Sequence, residues 1–242
     1  MNWNLWRPWY EQIVARLNLD PLEDWRAARV LNGLLPEPDL AGLSKLIRGK
    51  ECVVFGAGPS LEADLRNVVR SRWLTKVLIA ADGATSALLR YRPPDAVVTD
   101  LDGNVEDQLT AWHLGSWMVI HAHGDNLDQV REVVPRIGER IIGTTQVRPF
   151  GKLYNFGGFT DGDRAVFMAH ELGASKIYLA GMDLGREIGV YSGDKDLRRK
   201  FIKLEICGEL LAWLAKKFDA KLVNVTSGGE EIPNIPRGSL AG

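Results

Sequence analysis

The stretch DAVVTDLDG, residues 95–103, decides how the rest of the chain is read. Ala96, Val97 and Val98 form a continuous apolar run. Such runs mark strands buried on both faces, as in parallel sheets, rather than the alternating pattern of half-exposed ones. The run then meets Asp100 and Asp102, followed by Gly103. If strand geometry persists, the two carboxylates share a face. Two acids side by side repel, and burying them is costly unless they are paired, hydrogen-bonded or bound to metal. A parallel sheet explains the arrangement, because ligands gather beyond the carboxyl ends of its strands.

Outward from this stretch the same texture repeats. Strands are expected at 52–57, 77–81, 95–100, 117–122, 140–144, 177–181 and 221–225. Helices are expected at 61–73, 84–90, 104–114, 127–137, 163–172 and 196–218. This alternation predicts an α/β fold: a mostly parallel, Rossmann-like sheet with helices on both faces. Residues 1–48 read as a small helical segment. In it Asp20-Pro21-Leu22-Glu23 marks a helix start and 40–47 a second short helix ending near Gly49. The α/β domain spans 49–226, and 227–242, rich in Gly and Pro, reads as a surface tail.

Composition narrows the function classes. The 242 residues carry 30 Lys+Arg against 31 Asp+Glu, a formal charge of −1. That balance argues against a broad grip on nucleic acid. Cys52 and Cys207 are far apart and form no CxxC pair, so they read as reduced core residues. No apolar run approaches the roughly 20 residues of a membrane span, and MNWNLWRPWYEQ lacks the layout of a secretory leader. The chain is expected to be cytoplasmic, without membrane or nucleic-acid partners. Trp3, Trp6, Trp9 and Tyr10 can pack on the body of the protein or on a second copy, which leaves a homodimer open.

Nearly every strand delivers polar groups or a glycine turn to one rim. Gly56-Ala57-Gly58-Pro59-Ser60 links a strand to a helix, where free N–H groups can meet phosphate. It matches neither the dinucleotide fingerprint nor a Walker A loop, and a tight turn capped by Ser60 serves equally well. Asp82-Gly83 follows the second strand. Asp100 and Asp102, with Asp82 nearby, suit a hard cation such as Mg²⁺ shared with substrate phosphates; Asp102 or Asn104 also suits a helix cap. Thr160, Asp161, Asp163 and Arg164 open a helix, as caps or as phosphate and metal contacts. His121 and His123, two apart, can chelate zinc with Asp125 as a further ligand, or shape a polar pocket with Asn126.

Taken together, GAGPSL, ADGATSALL, PPDAVVTDLDG, HAHGDN, GTTQ, NFGGFTDGDRA and LAGMDLG resemble the archaeal 6-hydroxymethyl-7,8-dihydropterin diphosphokinases of the MptE type. DGA, TDLDG and TDGDRA also resemble the catalytic domain of thiamine pyrophosphokinase. This chain departs from that domain by Thr99 for glycine, Gly103 for serine and Arg164 for lysine. The resemblance implies transfer of diphosphate from ATP to the hydroxymethyl group of a dihydropterin, with release of AMP. It implies Mg²⁺ between phosphate oxygens and Asp100, Asp102 and Asp82 or Asp161. Gly56, Gly58, Pro59, Ser60, Gly83 and Thr160 would hold the nucleotide. Asp125, Asp161 or Asp163 would help deprotonate the alcohol, with Arg164 on phosphate. His121, His123, Asn126, Gln146 and Asn155 would read the pterin edge. GAGPSL alone also resembles motility-accessory-factor proteins, which implies a nucleotide-sugar glycosyltransferase as the alternative. A zinc hydrolase built on HAHGD and a nucleotide-binding regulator are the other classes.

Overall fold

The apolar runs form one sheet. The computed structural model describes residues 1–185 and 196–239. The strands are β1 (Glu51–Phe55), β2 (Val77–Ala81), β3 (Ala96–Thr99), β4 (Trp117–Ala122), β5 (Ile141–Thr145), β6 (Leu153–Tyr154), β7 (Lys176–Ala180) and β8 (Leu222–Asn224). Every pairing is parallel, in the order β6-β5-β4-β3-β2-β1-β7-β8. The chain lays β2 to β6 on one side of β1, then returns to lay β7 and β8 on the other. Winding reverses between β1 and β7, so the loops beyond those strands part and leave a crevice.

The helices are α1 (Trp3–Leu17), α2 (Pro21–Leu34), α3 (Leu40–Ile47), α4 (Leu61–Arg70), α5 (Ala84–Leu88), α6 (Val105–His113), α7 (Leu127–Val133), α8 (Asp161–Glu171) and α9 (Leu197–Phe218). Alternation along β1 divides the core by face, as the two-residue strand period requires. Val53 and Phe55 join Leu65, Val68 and Leu78, under α4. Cys52 and Val54 join a larger cluster with Phe167 of α8 and with Trp6, Ile13, Leu31, Leu43 and Ile47 of α1–α3. Asp20 caps α2 by accepting from Leu22 N at 2.8 Å, with Pro21 in the first turn. Glu23 pairs with Arg26 instead of closing a capping box.

The N-terminal segment is built into the sheet's polar rim. Trp6 is fully buried and donates through Nε1 to Gln146 O at 2.8 Å. The described part of the tail runs back along β8: Asn224 donates to Pro236 O and accepts from Gly238 N, while Ile232 and Ile235 are buried. Residues 240–242 lie outside the described residues. β6 was absent from the sequence expectation; two residues are too short for a periodic signal. Among the described residues no helix is long and apolar enough to cross a membrane.

Candidate active site

Three carboxylates meet at the carboxyl rim. Asp82 follows β2, Asp100 follows β3, and Asp161 is the first residue of α8, with one oxygen of each within 4.8 Å of the others. Thr99 Oγ1 and Gln108 Nε2 both donate to Asp82 Oδ1, at 2.6 and 2.7 Å. Asp82 Oδ2 points toward Gly103, where an added Cβ would stand 2.2 Å from it. Glycine there leaves the carboxylate its space. Arg164 Nη1 donates to Asp161 Oδ1 at 2.9 Å and Nη2 to Phe159 O at 2.7 Å. His123 Nε2 lies 3.2 Å from Asp100 Oδ2.

The electrostatics of this cluster are uneven. At 4.8 Å, two unit charges repel by roughly 3 kcal/mol at an effective dielectric of about 20. Burial, then the charge of Asp100, raises the Asp82 carboxyl above its usual range. Burial and Asp100 raise Asp161 strongly, against the pull of Arg164. Burial also works against ionisation of Asp100, but the hydrogen bond and charge of His123, the contact with Asp102 and the charge of Arg164 outweigh it and hold Asp100 low. Asp102 is exposed as a residue, yet its carboxyl lines the cleft beside the trio. Desolvation there, then Asp100 and Asp82, push it up to about 8.

The trio opens into a cleft of about 390 Å³. Its wall includes Gly56, Gly58, Asp82, Gly83, Asp100, Asp102, His123, Asp125, Gln146, Thr160, Asp161 and Arg164. The remaining sequence candidates lie behind it. Asp163 is fully buried and accepts from Phe159 N, Thr160 N and Thr160 Oγ1 at 2.5–2.8 Å, so it builds the α8 start. Asn126 spends its amide on Asp100 O and His121 O, both at 2.7 Å. Asn155 spends its own on Gln146 O and Val147 O. His121 is buried, bonded through Nδ1 to Thr144 Oγ1 at 3.1 Å. Burial, Arg164 and His123 hold its pKa well below the ordinary value. Asp125 pairs with Arg199 at the rim at 3.1 Å. The histidines and Asp125 therefore do not converge on one ion; among the described residues the set that does is the aspartate trio. Pro59 is exposed outside the wall, and Ser60 lies behind Asp183.

The wall also holds residues the sequence did not single out. Asn18, Glu23 and Asp24 bring the N-terminal segment to the cleft. Asp24 is buried and accepts from Tyr10 Oη and Gln146 Nε2, each at 2.7 Å, and from Gly124 N at 2.9 Å. Arg199, Lys200 and Lys203 of α9 add basic residues to the same wall, Arg199 pairing with Asp125. The run LRRKFIK could have signalled this, although such runs are commonly solvated helix faces. Asp183, which the sequence placed within LAGMDLG without a role, lies just past β7 and completes the wall at the crevice.

Hard oxygen donors, crowded like charges and an open approach fit a divalent cation such as Mg²⁺. The basic residues of the same wall fit a polyanion. One cleft that joins both can hold a metal-bound polyphosphate.

Comparisons with known proteins bear on this site. The family model described as "6-hydroxymethylpterin diphosphokinase MptE-like" matches residues 31–189. A curated protein of Pyrococcus furiosus is 44% identical over 234 residues, covering 92% of this chain and 98% of that one. One of Methanothermobacter thermautotrophicus is 42% identical over 233 residues, covering 92% and 99%. One of Methanocaldococcus jannaschii is 34% identical over 244 residues, covering 92% and 100%. All three are named 6-hydroxymethyl-7,8-dihydropterin pyrophosphokinase. Among solved structures, the MAf glycosyltransferase from Magnetospirillum magneticum AMB-1 is similar with a TM-score of 0.59 and 16% identity. The similarity covers 90% of this chain and 38% of that one. At that identity the likeness shows the fold alone.

Proposed function

Because the chain belongs to the MptE-like family of 6-hydroxymethylpterin diphosphokinases, we propose that it transfers diphosphate from ATP to 6-hydroxymethyl-7,8-dihydropterin. The observation that carries the reading is the convergence of Asp82, Asp100 and Asp161, with Arg164 bonded to Asp161, in a cleft that the basic start of α9 also lines. The pterin alcohol oxygen forms a bond to the β-phosphorus, the bond from that phosphorus to the oxygen bridging to the α-phosphorus breaks, and AMP leaves with that oxygen. The alcohol proton goes to a carboxylate.

Each residue has a part in this scheme. Asp82, Asp100 and Asp161 would hold Mg²⁺, which supplies neutralisation of phosphate charge and a fixed position for the β,γ-oxygens. Thr99 and Gln108 aim Asp82, and Arg164, in the cleft wall, aims Asp161. Asp102 adjoins the trio without belonging to it, and we assign it to accept the alcohol proton. Gln146, oriented by the bond from its Nε2 to Asp24, offers the rest of its amide as a polar edge for the pterin ring. Gly83 and Thr160 line the path between. Most of the rate then comes from positioning and charge stabilisation rather than covalent catalysis.

The reading is tested by titrating Mg²⁺ with Asp100→Asn and Asp161→Asn. Turnover should fall at least about 100-fold in each, as when a group stabilising transition-state charge is lost, and the Mg²⁺ requirement should rise. Wild-type turnover and Mg²⁺ dependence in both variants would remove the metal assignment.

A further inference from the structure

The amino end of α4 is filled from within the protein. Ser60 donates its backbone N–H to Asp183 Oδ2 at 3.1 Å and its hydroxyl to the same oxygen at 2.8 Å. In phosphate-binding loops a phosphate oxygen takes that place. An added Cβ on Gly58 would stand 2.2 Å from Asp183 Oδ2, so glycine makes room for the carboxylate rather than for a ligand. The Ser60 hydroxyl also lies 2.8 Å from Asp64 Oδ2, and its single proton serves one acid at a time. Asp64 is fully buried and takes the N–H groups of Gly181 and Ser227; it ties the three loops together.

Asp183 differs from Asp64. It is 7% exposed and lines the cleft at the crevice beyond β1 and β7. Among the described residues its Oδ1 accepts no hydrogen bond. A fixed carboxylate repels phosphate and holds groups that bring hydrogen-bond donors. A vicinal diol brings two such donors at a spacing that one carboxylate can accept. The pterin hydroxymethyl has a single hydroxyl, which the chemistry above requires at the aspartate trio. The pterin ring edge needs donors and acceptors together, which the Gln146 amide offers in the cleft wall.

We propose that the β1–β7 crevice takes the ribose of the nucleotide, with Asp183 accepting from its 2′- and 3′-hydroxyls. The phosphates then run away from α4, past Gly83 and Thr160 toward Arg164 and α9. This rests on the nucleotide-dependent reading above and deepens it.

The test is equilibrium binding of ATP, AMP and their 2′,3′-dideoxy forms to the full chain, without pterin. Wild-type protein should prefer each ribonucleotide about 10-fold or more over its dideoxy form, the range for hydrogen bonds to a charged acceptor. Asp183→Ala should bind ribo and dideoxy forms alike and bind 6-hydroxymethyl-7,8-dihydropterin as wild type does. Ser60→Ala keeps the carboxylate and should retain the preference. If Asp183→Ala loses its cooperative unfolding transition, Asp183→Asn replaces it, with the preference expected to shrink. No preference in wild type, a preference that survives in the Asp183 variant, or loss of pterin binding alone would overturn the proposal. Diol preference for AMP in a protein that never releases AMP from ATP would uphold this site while sinking the transfer reaction.

Discussion

His123 Nε2 stands 3.2 Å from Asp100 Oδ2, and this contact separates Asp100 electrically from its neighbours. Asp82, Asp102 and Asp161 are all raised, while Asp100 is held low. The cluster thus keeps one ionised carboxylate on which a cation can first land. His123→Ala should raise the pKa of Asp100 and move the acidic limb of the pH–rate profile upward. Activity should fall more at pH 6 than at pH 8. An unmoved acidic limb would mean that His123 does not tune the cluster.

Gly103→Ala should place a methyl group against Asp82 Oδ2, at a built distance of 2.2 Å. Asp82 cannot retreat cheaply, because Thr99 and Gln108 hold its other oxygen. Turnover should drop about 10–100-fold, the cost of misplacing a positioned group, while the thermal unfolding transition persists. A variant as active as wild type would show that Asp82 Oδ2 is not needed at the site.

Asp102 should make the metal-free protein less stable as pH rises. Its folded pKa is raised to about 8, against about 3.9 for an unfolded aspartate. Between those values the native state keeps a proton that the unfolded chain has lost, so stability falls as pH rises through the window. Relative to Asp102→Asn, the wild-type Tm should decline from pH 5 to pH 8, and saturating Mg²⁺ should flatten the decline. A constant difference across that range would contradict the crowding described here. The same variant should lose turnover about 100-fold while its Mg²⁺ requirement stays near that of wild type.

Asp24→Ala should destabilise the fold by roughly 2–4 kcal/mol, because Tyr10, Gln146 and the Gly124 N–H lose a buried acceptor together. Tyr10→Phe should cost only about 1 kcal/mol, the net worth of one hydrogen bond. Urea denaturation gives both values. Equal costs would mean that Asp24 is not the hub that joins the N-terminal helices to the cleft.

The sheet was legible because continuous apolar runs state their own burial, and parallel strands place every run's end on one rim. Asp82 and Asp100 followed from that rule; Asp161 opens a helix after a glycine-rich loop, reads by itself first as a cap, and came to the metal through the resemblance. Asn126 and Asn155 show its limit. A polar side chain after a strand looks the same in sequence whether it meets a ligand or turns back to carbonyls, as both do. Asp183 stands in the quoted LAGMDLG segment, but its contact was hidden: its meeting with Ser60 depends on β7 lying beside β1, which strand spacing does not state. Asp24 was hidden by distance, reaching Gln146 across 122 positions.

The most direct measurement is ³¹P NMR of the products from ATP, Mg²⁺ and 6-hydroxymethyl-7,8-dihydropterin. AMP and a pterin diphosphate should appear in equal amounts, and both should be lost in Asp100→Asn. ADP with a pterin monophosphate, or no phosphorus transfer at high enzyme concentration, would contradict diphosphate transfer at the aspartate cluster.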